Sequence, residues 1–215
     1  MIGQAITRNA VILGLFAIGT AATLALTNQA TRQRVECNRQ AALADALAQV
    51  MPPARHDNPL LDDSITVTDP LLGHGEHHLY RARLGGEASG AVLEAVAPDG
   101  YGGDIRLIVG VDRDGTVLGV RVVPPHNETP GLGDNIEIRK SDWILGFNGT
   151  SLEQPSTSGW AVKKDGGRFD SFTGATITPR AVVSAVHGAL RYYQAHGDEV
   201  FKAPAQAQTT ESCDG

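Results

Sequence analysis

Thr176 is the hydroxyl best placed for chemistry in this chain. It follows Gly174-Ala175 and precedes Ile177-Thr178-Pro179. Thr178 followed by Pro179 predicts a helix start, with a hydroxyl N-cap and proline at the first helical position. Behind it Val182, Val186, Leu190 and Tyr193 recur at helical spacing, with Arg180, Ser184, His187 and Arg191 on other faces. The helix is expected to end near Gly197. Thr176 then lies in the turn that enters a helix, where free backbone N–H groups and the positive end of the dipole favour a phosphate. Gly174 and Ala175 leave room for a bulky group. An ordinary loop running into a capped helix accounts for the same residues.

A second stretch, His126-Asn127-Glu128-Thr129-Pro130-Gly131-Leu132-Gly133-Asp134, packs Pro-Gly and Leu-Gly into a compact loop that exposes backbone polar groups. Asp99-Gly100-Tyr101-Gly102-Gly103-Asp104 is a third Gly-rich loop. It opens no helix, so it is not a phosphate loop of the nucleotide-binding kind, and its glycines let the backbone pass close to a neighbour. His74, His77 and His78 lack a ligand pattern of helical spacing, and the last two point to opposite faces of a strand. They are expected to be solvated surface histidines, and no metal site is expected.

These residues need elements to hold them. The chain has 215 residues, 41% hydrophobic and 20% charged, a balance that suits one anchored globular domain. A net charge of -6 argues against a nucleic-acid partner. Two cysteines without a Cys-x-x-Cys exclude a disulfide scaffold, a zinc ribbon and an iron–sulfur site encoded in this chain alone. Ala10 to Leu26 is an uncharged run at the short end of what spans a bilayer. It lacks a good cleavage site, and Arg34-Val35-Glu36 before Cys37 is no lipoprotein lead, so it reads as a single membrane anchor. Its small residues suit packing against other membrane helices. Arg8 precedes the run while Arg32, Arg34 and Arg39 follow it, a bias that favours a cytoplasmic domain.

From Thr31 to Met51 the pattern stays helical until Pro52-Pro53 ends it, and residues 54–63 form a polar connector. Ile65–Thr68, His77–Leu84, Gly90–Ala97, Ile105–Val111 and Thr116–Val123 read as strands, the last two joined by the turn Asp112–Gly115. Ile136–Trp143 is expected to be a short helix or turn, and Leu152–Gly159 a polar linker. Trp160–Lys164 and Arg168–Phe172 suggest a hairpin around Asp165-Gly166-Gly167. Lys163 and Lys164 are within reach of a phosphate at Thr176, although exposed hairpin charges are the commoner case. The Ala-, Gln-, Thr- and Ser-rich tail from Pro204 is expected to be disordered.

Asp170-Ser171-Phe172-Thr173-Gly174-Ala175-Thr176, followed by Thr178, resembles the flavinylation motif of the FMN-binding domain family. His126-x-Glu128-Thr129-Pro130-Gly131-Leu132-Gly133 is similar, residue for residue, to that family's loop against the isoalloxazine ring. The resemblance implies FMN as cofactor, held by a phosphoester to Thr176. It also implies a flavin transferase that reads Asp170, Thr173, Gly174 and Ala175. Backbone amides of Gly131 and Gly133 would bond the ring edge, Leu132 would cover a ring face, and the Thr129 hydroxyl would meet the pyrimidine edge. Glu128 would brace the loop rather than move protons. Thr173, Gly174, Ala175 and Thr178 complete the expected cofactor contacts, and no residue is assigned a catalytic role.

With the anchor and this length, the whole chain resembles the G-subunit family of Rnf electron transport complexes, ion-translocating ferredoxin:NAD oxidoreductases. The C subunit of sodium-pumping NADH:quinone reductase and a flavinylated sensor or regulatory domain are the alternatives. The expected role is electron relay beside flavin- and iron–sulfur-bearing membrane subunits, with the domain periplasmic on the inner membrane, against the charge bias. The expected fold is α+β: one N-terminal transmembrane helix, then a largely antiparallel sheet domain with packed helices. The expected divisions are an anchor at 1–30, juxtamembrane helix and connector at 31–63, FMN-binding domain at 64–200 and tail at 201–215. In an oxidising compartment Cys37 and Cys213 form a candidate disulfide pair; separate thiols, or pairing with another protein of the complex, are the alternatives.

Overall fold

The computed structural model describes residues 2–206, apart from the side chains at positions 2, 4, 5, 36 and 39. It divides into two units, one reaching Ala42 and the other beginning at Leu43.

The first unit is helical. It belongs to α1, Ile2–Val50, which runs unbroken through both the expected anchor and the expected juxtamembrane helix. An 18-residue window in it has a mean hydropathy of 2.1 and none of that window is buried, so by length and composition this helix can cross a membrane. The hydroxyls of Thr7, Thr20, Thr23 and Thr31 donate to carbonyls one turn back, at Gly3, Phe16, Gly19 and Thr27. Those bonds satisfy polar side chains that lipid cannot.

The second unit is an antiparallel five-stranded meander in the order β1 (Ser64–Val67), β2 (His77–Leu84), β3 (Glu87–Gly100), β4 (Gly103–Asp112), β5 (Val117–Val123). Apolar residues on both faces explain why the strands read as runs rather than strict alternations. Leu79, Leu93, Leu107 and Val109 face α2 (Ile177–Lys202) through Val182, Val186 and Leu190. Tyr80, Val92 and Ile108 face the last turn of α1, through Leu47 and Val50, and Met51 just beyond it. Gly110 allows that approach: a Cβ there would meet the Val50 carbonyl oxygen at 2.1 Å.

The fold is α+β as expected, with several local corrections. α2 continues past Gly197 to Lys202. Gly197 packs on the Tyr193 ring, and the buried Arg81 guanidinium donates to the carbonyls of Val200 (3.1 Å) and Ala203 (2.5 Å). Arg81 and Arg83 share the Asp63 carboxylate, Nε of each lying 2.7 and 2.8 Å from its oxygens. His77 is not solvated: it is buried, while His74 pairs with Asp104 at 2.8 Å and His78 is half-buried. Burial pushes the His77 imidazole below its ordinary pKa, against an opposing backbone bond at Gly73. Gln206 is tied to β1 rather than loose, its N–H donating to the Ser64 carbonyl at 2.8 Å and its carbonyl accepting from the Ser64 hydroxyl. The remainder of the expected disordered tail, and Cys213 of the candidate disulfide, lie outside the described residues.

Candidate functional site

The site is built around the Glu128 carboxylate. The loop that carries it follows β5, and the β3–β4 turn reaches it from one side. Glu128 is 5% exposed. Its Oε1 accepts from the Gly102 N–H at 3.0 Å, and its Oε2 accepts from the Thr178 hydroxyl in the first turn of α2. A buried carboxylate is tolerated because its oxygens receive donors. Glycine is required at both approaches. A Cβ on Gly133 would meet Oε2 at 2.5 Å, and one on Gly102 would meet the Asn127 carbonyl at 2.1 Å.

The loop is further pinned from within. Leu132 N–H donates to the Thr129 carbonyl at 3.1 Å, and Gly131 N–H to the buried Asp134 carboxylate at 2.7 Å. His126 Nδ1 accepts from the Glu128 N–H at 3.3 Å, which leaves Nε2 as the donor to Glu137, 2.9 Å away. Burial raises the Glu137 carboxyl, but bonds from Arg139 and His126 outweigh it and hold the group below the usual carboxylate range. A cleft of about 550 Å³ opens beside the loop, lined by His126, Pro130, Asp134, Arg139 and Lys140 among others.

Thr176 itself is the N-cap of α2, a correction to the expected cap at Thr178. The Thr176 hydroxyl makes no capping bond, while Thr178 is buried and committed to Glu128. Pro179 still falls within the first turn, where its missing N–H costs nothing. Ahead of the helix, Ala175 N–H donates to the Phe172 carbonyl at 3.1 Å, and Gly174 turns through a φ of 82°. Thr173 and Gly174 are exposed, Ala175 and Thr176 half-buried. Leu132 closes on this segment, its Cδ2 lying 3.8 Å from where a Gly174 Cβ would stand.

The expected hairpin before the motif is instead a short 3₁₀ turn, Lys163–Asp165, closed by a parallel bridge between Val162 and Phe169. Gly167 drives this geometry, since a Cβ there would meet the Ala161 carbonyl at 2.0 Å. The turn places Lys163 Nζ 2.7 Å from the Asp170 carboxylate. Arg180 bonds both Asp165 oxygens, and those bonds lower the Asp165 pKa and raise that of Arg180. Trp143, not expected at the site, donates from Nε1 to the Asp170 carbonyl at 2.8 Å and meets Phe172 edge-on. Its signal in the sequence was slight: it is one of only two tryptophans.

The loop at 126–134, the 170–176 segment and the start of α2 therefore meet at one place. Leu132 against the Gly174 turn and an uncommitted hydroxyl at a helix N-terminus suit a phosphate-bearing flavin, although the Gly131 amide, expected at the ring edge, is taken by Asp134. They define a protein of the FMN-binding domain class. The family model of the FMN-binding domain matches residues 100–191, and that of the RnfG N-terminal region matches residues 1–50. The G subunit of the ion-translocating oxidoreductase complex from Pseudoalteromonas atlantica is 50% identical over 208 residues, which cover 96% of each chain. Its counterpart from Pseudomonas aeruginosa is 50% identical over 206 residues and 95% of each chain. One from Vibrio cholerae is 46% identical over 201 residues, 93% of this chain and 96% of the relative. The chain belongs to this G-subunit family of ion-translocating oxidoreductase complexes.

Proposed function

We propose that this chain is the electron-relay component of an ion-translocating ferredoxin:NAD oxidoreductase of the Rnf type. It is anchored in the inner membrane by α1 with the second unit on the periplasmic side, and it carries FMN as a phosphoester on Thr176. The observation that carries the reading is the Thr176 hydroxyl at the start of α2, free of any capping bond, beside a loop pinned to that helix through Glu128. Near-full-length identity to G-subunit proteins supports the complex as its setting. The match to the RnfG N-terminal region favours this over the C subunit of sodium-pumping NADH:quinone reductase.

Bound FMN supplies the one-electron chemistry. In the modification, the Thr176 oxygen bonds to the FMN phosphorus of FAD as the pyrophosphate bond breaks. AMP leaves, and the hydroxyl proton is released. A flavin transferase catalyses that exchange, and the exposed Asp170 side chain belongs to the surface it reads. Leu132 and the Gly133 amide hold the ring, the Gly131 amide being committed to Asp134, while Glu128 fixes the loop to α2. By this reading residues 31–63 connect the anchor to the FMN-binding domain at 64–200. Thr176→Ala tests it: denatured gel bands of the variant should lose flavin fluorescence, and a band that stays fluorescent would overturn the attachment.

A further inference from the structure

Among the described side chains of α1 before Leu43, all are exposed but two. Cys37 and Gln40 are half-buried, between the exposed Val35, Asn38 and Ala41. Positions three apart share a helix face, so α1 is covered along one line at Cys37. The Cys37 sulfur is disulfide-bonded, and none of the described residues is a free cysteine. The chain holds one other cysteine, Cys213, near its C-terminus. Gln206, the last described residue before it, is fixed to β1: its N–H donates to the Ser64 carbonyl, and its carbonyl accepts from the Ser64 hydroxyl. A short leash from a fixed point gives a thiol of the same chain a higher effective concentration than a thiol of a second molecule.

We infer that Cys37 and Cys213 form an intrachain disulfide that makes the C-terminal tail a strap, tied to Ser64 at one end and to α1 at the other. The second unit is then joined to α1 twice, through the backbone at Leu43 and through the tail. The inference rests on the proposed periplasmic side, because such a bond persists in an oxidising compartment and not in the cytoplasm. Formation is an exchange with an oxidant protein that carries a disulfide of its own. One cysteine attacks that disulfide, and the other displaces the oxidant from the mixed disulfide. The chain loses two electrons and two protons, and the oxidant leaves with them as a dithiol. Arg32, Arg34 and Arg39 bias the chain toward the opposite side, so the bond is a marker of side that owes nothing to charge.

The test uses the full-length chain in membranes, with free thiols blocked by a maleimide at lysis and trypsin digestion without reductant. Cleavage after Arg34, Arg39 and Lys202 leaves one cysteine in peptide 35–39 and the other in peptide 203–215. The two should appear joined, at the sum of their masses less two hydrogens, and reductant should part them. Maleimide on both peptides without reductant would overturn the bond. So would peptide 35–39 joined to its own copy or to a peptide of another protein. Cys213→Ser should turn Cys37 into a free thiol that takes maleimide in one step; a Cys37 that stays blocked in this variant would also overturn the pairing. A second arm separates the bond from the side of the membrane. In spheroplasts of the Cys213→Ser strain, a maleimide that cannot cross membranes should label Cys37. Labelling only after lysis would overturn the periplasmic reading and the bond with it. Wild-type thiols that are free and labelled from outside would overturn the bond alone.

Discussion

The Thr178 hydroxyl donates to the Glu128 carboxylate across 50 residues of chain, locking the first turn of α2 to the loop that precedes it. Both partners are buried, so neither has water as an alternative. Thr178→Val keeps the shape and removes the donor. The stranded carboxylate oxygen should cost about 1–3 kcal/mol. For a chain of this size each kcal/mol lowers the midpoint by about 2–4 °C. Thr178→Ser should recover most of the loss. Thermal unfolding of the three proteins checks this, and a valine variant as stable as wild type would show that the bond does not hold the loop.

Asp170 plays two separable parts. Its main-chain carbonyl accepts from Trp143, while its carboxylate is exposed and pairs with Lys163 on the surface. Asp170→Ala keeps the carbonyl and removes the carboxylate. Stability should change by about 1 kcal/mol or less, because exposed pairs contribute little. Covalent labelling should nevertheless stop. A variant labelled as fully as wild type would remove Asp170 from transferase recognition.

The buried clamp at the far end of α2 should matter more than any surface pair. Arg81→Met leaves the Val200 and Ala203 carbonyls without their donor and Asp63 with Arg83 alone. Breaking a buried pair costs about 3–5 kcal/mol, and the remaining Arg83 contact places the expected loss at the lower end. Amide exchange should show the last turn of α2 fraying first. Unchanged protection there would contradict the role given to Arg81.

Stability should also fall in mild acid. Burial lowers the imidazole pKa of His77, and burial then the Arg191 charge lower that of His187. Each therefore binds a proton more readily in the unfolded chain, near its ordinary value of about 6.5. The stabilisation is complete above that pH and is lost as pH falls toward the depressed folded values. Urea midpoints measured from about pH 8 to about pH 5 should decline, and His77→Leu should flatten the slope. A slope unaffected by that substitution would assign the decline elsewhere.

Much of this was legible from the residues. All five strands stand within a few residues of their sequence positions, because their apolar runs and the Asp112–Gly115 turn are local signals. The Glu128 loop was legible as a motif. What it binds was not, since Gly102 and Thr178 reach it only through tertiary packing. The cap at Thr176 rather than Thr178 was misread for the same reason: the hydroxyl of Thr178 had a distant carboxylate to satisfy. The expected hairpin at 160–172 failed because Gly167 packs on Ala161 and turns the strands into a single parallel bridge. His77 looked like a surface residue because strand alternation says which side a residue takes, not whether that side is covered. Here the sheet is covered on both faces.

The central claim is that FMN is bonded to Thr176. Intact mass spectrometry of the chain purified from membranes, followed by peptide mapping, tests it most directly. The mass should exceed the sequence mass by one FMN less the water lost in forming the ester. The increment should map to the peptide that contains Thr176, and Thr176→Ala should return the chain to its sequence mass. An unmodified chain that binds flavin reversibly, or an increment mapped to another residue, would contradict the account.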